Sequence, residues 1–209
     1  MHLLLTDVLT CPRCGPTFGL ILLADRMDDR QVIAGSLGCP NCRDAFRVSD
    51  GFADLRAPPR GELGPGLVGP PGLAPTEESA RITALLGVPR GPGTLALIGE
   101  PARHGPAVAA LVEGVQVVGI DADLRLWTET GGFSRLVSAP GIPFFTGVLR
   151  GVTVDARLGP RWIAEAARVV APMSRVVVLH AGQRAAPMLQ ELGLTVLATE
   201  AETVVAARS

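Results

Sequence analysis

A chain of 209 residues with 47% hydrophobic content can build one substantial α/β domain and a small satellite, but it is too short for two ordinary domains and too apolar to be disordered. Its 19 basic residues, all arginine, offset 20 acidic ones to a net charge of -1, and no dense basic tract marks it for strong nucleic-acid binding. The opening MHLLLTDVLTC carries Asp7 and lacks a positive flank, and no apolar run approaches the roughly 20 residues that span a bilayer, so the expectation is a cytoplasmic protein without a membrane partner.

The first feature along the chain is a pair of Cys-Pro-x-Cys turns, Cys11 with Cys14 and Cys39 with Cys42, which hold every cysteine present. A tight turn lets two thiolates converge from one loop. Two such loops facing each other make the tetrahedral sulfur cage that zinc accepts, with no coordination position left for catalysis. A redox dithiol, or two disulfides, are the competing uses of the same residues. Between the pairs, FGLILLAD and QVIAGSLG read as strands joined by a charged turn, and DAFRVSDGFADL reads as a hairpin turning at Asp50-Gly51. This predicts a small zinc-ribbon-like β module over residues 1–56, in which the metal stands in for a core that so short a unit cannot build.

LLTDVLTCPRC, followed by LGCPNCRDAFRVSDGFADL, resembles the small zinc-binding activator subunit of tRNA, rRNA and release-factor methyltransferases and its short bacterial relatives. Phe46, Asp50, Gly51 and Phe52 fill the closing segment of that pattern. The resemblance implies a module that stabilises a methyltransferase by adding a strand to its sheet edge.

Residues 57–75 are rich in proline and glycine and read as an interdomain linker. Thr76 then offers an N-cap, with Glu77 and Glu78 in the first turn of a helix that ends near Gly87. From Thr94 onward apolar strand blocks alternate with helices: TLALI, QVVGI, RLVSA, VLRGVTVDA and RVVVLHA, with LTVLATE and ETVVAARS closing the chain as a hairpin near Ala201. Such continuous apolar strands predict a mostly parallel sheet covered on both faces over residues 76–209.

That order resembles class I S-adenosylmethionine (SAM) methyltransferases, whose Rossmann-like sheet ends in an antiparallel hairpin. VVGIDAD, GIPFF and EAARVVAPMSRVVVLHA look like segments of that family. The resemblance implies a cofactor site at Gly99, Asp121 and Ser138. Gly99 stands first in the loop LIGEPARHGPA, but Pro101 and Arg103 occupy positions where the family repeats glycine. Proline removes a donor and arginine adds bulk where SAM would lie. Asp121 is placed to accept from ribose hydroxyls, or to cap the turn that follows. Ser138 stands where the family often has an acidic residue near the adenine. Asp155-Ala156-Arg157 lacks the prolines and the aromatic ring of amino-group methyltransferases; Asp155 reads as a surface strand-end residue, with a base or an acceptor-holding group as the alternative. His104 and His180 fall on the carboxyl side of the sheet with no nameable partner, and Trp127 and Trp162 read as packing residues.

The leading expectation is a zinc-binding, methyltransferase-like protein with an eroded SAM loop, a binding or scaffolding subunit that meets a protein partner or a second copy through a sheet edge. The alternatives are an active SAM-dependent methyltransferase acting on RNA or protein, and a zinc-ribbon nucleic-acid adapter.

Overall fold

The computed structural model describes residues 1–72, 74–127 and 132–209. The N-terminal part consists of β1 (Ile21–Asp28), β2 (Gln31–Gly38), β3 (Ala45–Ser49) and β4 (Phe52–Arg56). Then follow α1 (Thr76–Leu86), β5 (Thr94–Ile98), α2 (Gly105–Leu111), β6 (Gln116–Ile120), β7 (Phe133–Ala139) and β8 (Leu149–Asp155). The chain ends with α3 (Pro160–Val169), β9 (Val170–Leu179), α4 (Ala185–Glu191), β10 (Leu194–Glu200) and β11 (Thr203–Arg208).

Among the described residues eleven strands form one sheet, in the order β1-β2-β3-β4-β7-β6-β5-β8-β9-β11-β10. The strands from β4 to β9 run parallel, and both flanks are antiparallel. The Rossmann-like sheet and its terminal hairpin are as the sequence predicts. Its N-terminal module is not a separate body beside it: β4 pairs in parallel with β7, Phe52 opposite Arg135 and Leu55 opposite Ser138. The chain adds a strand to the edge of its own methyltransferase-like sheet.

Period-two alternation explains why both faces are covered. In β5, Ala96 and Ile98 face a core that includes Ile163 of α3 and Leu189 of α4, while Leu95 and Leu97 face one that includes Ile82 of α1 and Val108 of α2. The first core continues without a break into the module through Leu55, Phe46, Leu37 and Cys11. Segment GIPFF finds its role there, since the Thr10 amide donates to the Pro143 carbonyl at 2.8 Å and the Phe145 amide to that of Val8 at 3.2 Å. Arg135, 2% exposed on β7, ties the same seam: its guanidinium donates to the carbonyl of Asp50 in the β3–β4 turn and to those of Leu124 and Trp127.

Local differences from the sequence reading have plain causes. Pro75, not Thr76, caps α1, because its carbonyl accepts both the amide and the hydroxyl of Ser79. Strand β9 begins at Val170, ahead of the predicted RVVVLHA, because the Val169 and Val170 end of α3 pairs alongside Val148 and Leu149. Gly87 ends α1 in the left-handed conformation, φ +66°, as a helix-stopping glycine does.

Candidate metal centre and cofactor cleft

One Cys-Pro-x-Cys turn precedes β1 and the other follows β2, and the antiparallel register, Ile21 opposite Gly38, brings both to the open end of the hairpin. The four Sγ atoms of Cys11, Cys14, Cys39 and Cys42 lie within 4.8 Å of one another. Cys11 and Cys42 are 3.7 Å apart, and Cys14 and Cys39 3.8 Å. A tetrahedron with zinc–sulfur bonds of about 2.3 Å has edges of about 3.8 Å, so the cage has the size zinc requires. Its sulfurs receive donors, from the Cys14 amide to Cys11 Sγ at 3.4 Å and from Asn41 Nδ2 to Cys14 Sγ at 3.3 Å.

Burial raises the Cys11 thiol. Burial and the neighbouring thiols push Cys42 up to about 12. For Cys39 burial also works upward, but the amides of Cys42 and Asn41 help bring it down to about 7. Four thiolates this close need a cation between them. Zinc held by these four cysteines would be structural, fixing the two turns and with them β1 and β2.

Gly99, Asp121 and Ser138, expected from the resemblance to line a cofactor site, sit at the carboxyl ends of adjacent strands. The Gly99 amide donates to the Ile120 carbonyl at 3.0 Å, and the Asp121 amide to that of Leu136 at 3.0 Å, so the ends of β5, β6 and β7 are aligned. Gly99 has φ +74°, and a Cβ built on it would meet Asp155 Cβ and Leu158 Cδ1, each at 3.0 Å. Directly after it the chain closes into a 3-10 turn, Glu100–His104, with Pro101, Ala102 and His104 buried. Arg103 pairs with Glu100 at 3.6 Å. A glycine that the sequence reading passed over, Gly105, allows α2 to approach β7: a Cβ there would stand 2.0 Å from the Phe133 ring.

Asp121 is 7% exposed and its carboxylate is engaged on both oxygens. Oδ1 accepts the Asp123 amide at 2.9 Å, and Oδ2 accepts the Leu67 amide at 2.9 Å. Asp123 accepts the Gly66 amide at 2.9 Å on one oxygen and the Gly69 amide at 2.8 Å on the other. The donors Gly66, Leu67 and Gly69 belong to the proline- and glycine-rich segment, which crosses back over the end of β6. Burial raises the Asp121 carboxyl above the ordinary range, the charge of Asp123 adds to that, and the amides of Leu67 and Asp123 oppose it. Ser138, 5% exposed, donates its hydroxyl to the Gly141 carbonyl at 2.7 Å.

Asp155 is not the surface residue the sequence suggests, being 0% exposed. Arg157 folds back on it, with its amide at 2.9 Å from Oδ1 and its Nη2 at 2.6 Å from Oδ2. His180 Nδ1 lies 3.4 Å from Oδ1. Burial pushes the Asp155 carboxyl upward, but the Arg157 guanidinium and amide outweigh it and hold the group below its ordinary value. His104 is buried against Ser79, Nδ1 to Oγ 2.9 Å, and its burial lowers its pKa. A cavity of about 870 Å³ opens instead between α3 and α4, lined by Ile163, Pro187 and Met188 and by neither Gly99, Asp121 nor Ser138.

Residues 2–51 match the family model of Trm112p-like proteins. The match covers the zinc module and stops at the β3–β4 turn, so it bears on that module alone. For the methyltransferase-like part the likeness is to solved structures. A geranyl diphosphate methyltransferase solved with SAM is 14% identical and aligns over 64% of this chain and 85% of its own, with a TM-score of 0.51. The cyclase SpnF is also 14% identical over 66% of this chain and 65% of its own, with a TM-score of 0.50. A complex containing the Haloferax volcanii Trm112 methyltransferase activator aligns at 15% identity over 62% of this chain and 87% of the matched one, TM-score 0.49. A search of curated proteins gives no match. The chain therefore joins a Trm112-like, zinc-binding module to a methyltransferase-like fold. Because a cyclase shares that fold, the fold by itself does not assign methyl transfer. Among the described residues no helix is long and apolar enough to cross a membrane.

Proposed function

We propose that this protein is a cytoplasmic, non-catalytic binding or scaffolding protein, in which the zinc module of residues 1–56 is the permanent edge of a Rossmann half spanning residues 76–209. The observation that carries this reading is the turn at Gly99. Where SAM needs open backbone, the chain passes into a buried Pro101, and Asp155 and Leu158 stand against Gly99. A proline has no amide hydrogen to offer there, and the close approach of Asp155 and Leu158 to Gly99 speaks against an open backbone seat for SAM.

The edge of β7 is already taken by β4, so a protein partner or a second copy would have to use β1 or β10, the outer strands of the sheet. Of the two, β1 presents more apolar side chains to solvent, with Ile21 57% and Leu23 64% exposed and Met27 beside them, against Leu197 alone on β10. A net charge near zero gives no electrostatic support to a nucleic-acid role.

Active SAM-dependent methyl transfer is the second reading, favoured by Asp121 at the end of β6. The test is calorimetric titration of the intact, zinc-loaded protein with SAM and with S-adenosylhomocysteine. No saturable heat is expected. Micromolar binding of either ligand would overturn the non-catalytic reading and restore the second one.

A further inference from the structure

The segment 63–69 reads in sequence as a linker, yet it is held at more points than a spacer needs. Three of its amides, those of Gly66, Leu67 and Gly69, donate to the Asp121 and Asp123 carboxylates. Two of its carbonyls accept from side chains that flank the same turn, Leu63 from Arg125 Nη1 at 2.6 Å and Gly69 from Trp127 Nε1 at 3.3 Å. Val68, 3% exposed, is sunk into the core beneath α1 and α2. The fit at Gly66 admits no side chain: a Cβ there would stand 1.7 Å from Asp121 Oδ1. An untethered proline- and glycine-rich spacer would be solvated and would bury no valine.

The chemistry of this seat is specific. A carboxylate at the end of the second parallel strand of a Rossmann sheet has oxygens that accept from paired donors, and a ribose supplies such a pair as its vicinal hydroxyls. In this chain one of those oxygens is taken by Leu67. Gly66, with no side chain, lets the strap's backbone lie directly against the carboxylate, where the sugar of a nucleoside would have to lie.

We propose that residues 63–69 are a built-in occupant of the ribose seat, a strap whose Leu67 amide stands in for a sugar hydroxyl at Asp121 and whose Gly66 and Gly69 amides fasten it to Asp123, so that a ribonucleoside enters only when the strap leaves. This goes beyond the non-catalytic reading, which concerns the intact chain with the strap in place and rests on the Gly99 turn.

The experiment uses the full-length, zinc-loaded protein, its Gly66→Val variant, in which the new side chain collides with Asp121, and its Leu67→Pro variant, which deletes the amide that Asp121 accepts. Amide hydrogen exchange reports the strap, and calorimetry with adenosine and with 2′,3′-dideoxyadenosine reports the seat. In the wild type the amides of Gly66, Leu67 and Gly69 should exchange at least tenfold more slowly than those of unstructured chain. In the variants residues 63–69 should lose that protection while β5 and β6 keep theirs, and adenosine should bind at least tenfold tighter than to the wild type, with the dideoxy analogue showing no such gain. An open-strap variant that binds adenosine no better than the wild type would overturn the proposal. So would wild-type strap amides that exchange freely, a measurement that stands whether or not either variant folds. Wild-type binding of S-adenosylhomocysteine accompanied by loss of strap protection would support the strap and sink the non-catalytic reading, so the two fail separately.

Discussion

The amide of Leu67 donates to Asp121 Oδ2 at 2.9 Å across 54 residues of sequence. That bond, with its neighbours at Gly66 and Gly69, fastens a segment with no helix or strand of its own to the centre of the sheet. Asp121→Ala should leave the Leu67 and Asp123 amides without an acceptor, at a cost of about 1–3 kcal/mol for each that stays buried. Because Asp123 grips the same strap, a double-mutant cycle between Asp121→Ala and Asp123→Ala should show a coupling of about 0.5–3 kcal/mol, read from urea midpoints. Strictly additive losses would mean that the two carboxylates act on separate elements.

The zinc cage and the Rossmann half share one core and one sheet, so loss of metal should propagate. Metal analysis should find one zinc per chain, and Cys39→Ser should abolish it. Chelation should expose β7 as well as the module, because β4 is the strand covering that edge. The check is hydrogen exchange of residues 133–139 with and without chelator. Since structural zinc contributes about 10–16 kcal/mol of apparent binding free energy in small zinc-dependent units, a module that merely loosens, with β7 unaffected, would contradict the shared-core description.

Leu55 lies at that seam, 0% exposed and opposite Ser138. Leu55→Ala should cost about 2–5 kcal/mol, by transfer and by the cavity left behind. Unfolding followed separately by a module probe and by the Trp162 environment should move together.

The carboxylates push stability in opposite directions with pH. Asp155 is held below its ordinary pKa, so its contribution is present above the unfolded carboxylate value of about 3.9 and is lost as pH falls through the folded value. Asp121 is raised above its ordinary pKa, so its contribution is greatest in acid and is lost as pH rises through the folded value. Asp155→Asn should therefore destabilise the protein at neutral pH, with the difference from wild type closing at acid pH. Urea midpoints measured across the acid range check the sign. A gap that widens on acidification would mean that Arg157 does not hold Asp155 as an ion pair.

Much of this architecture could be read from residue patterns, for physical reasons that also explain what could not. The cysteine turns are legible because thiolate pairs at that spacing have few other uses, and β5, β6 and β8 because strands covered on both faces must be apolar throughout. Pro101 in the glycine loop is legible because a missing amide is a property of the residue itself. The strap is not legible in the same way, because its donors are backbone amides and glycine gives the same letter in a loose spacer as in a close contact. The burial of Asp155 is hidden for a related reason: it stands against Gly99 and under Arg157 folding back, neither of which its place at a strand end reveals. Nor does spacing show that β4 would pair with β7, since nothing in the interval fixes which strand lies beside which.

The most direct test of the account is the thermal unfolding of the intact, zinc-loaded protein at rising concentrations of S-adenosylhomocysteine. A ligand that binds only the native state adds about 2.7 kcal/mol at one hundred times its dissociation constant, which is visible as a rise of several degrees in Tm for a domain of this size. With Pro101 and Leu158 closing the Gly99 turn and Leu67 seated on Asp121, Tm is predicted not to move. A saturable rise in Tm would contradict the claim that this chain keeps the methyltransferase outline without its cofactor.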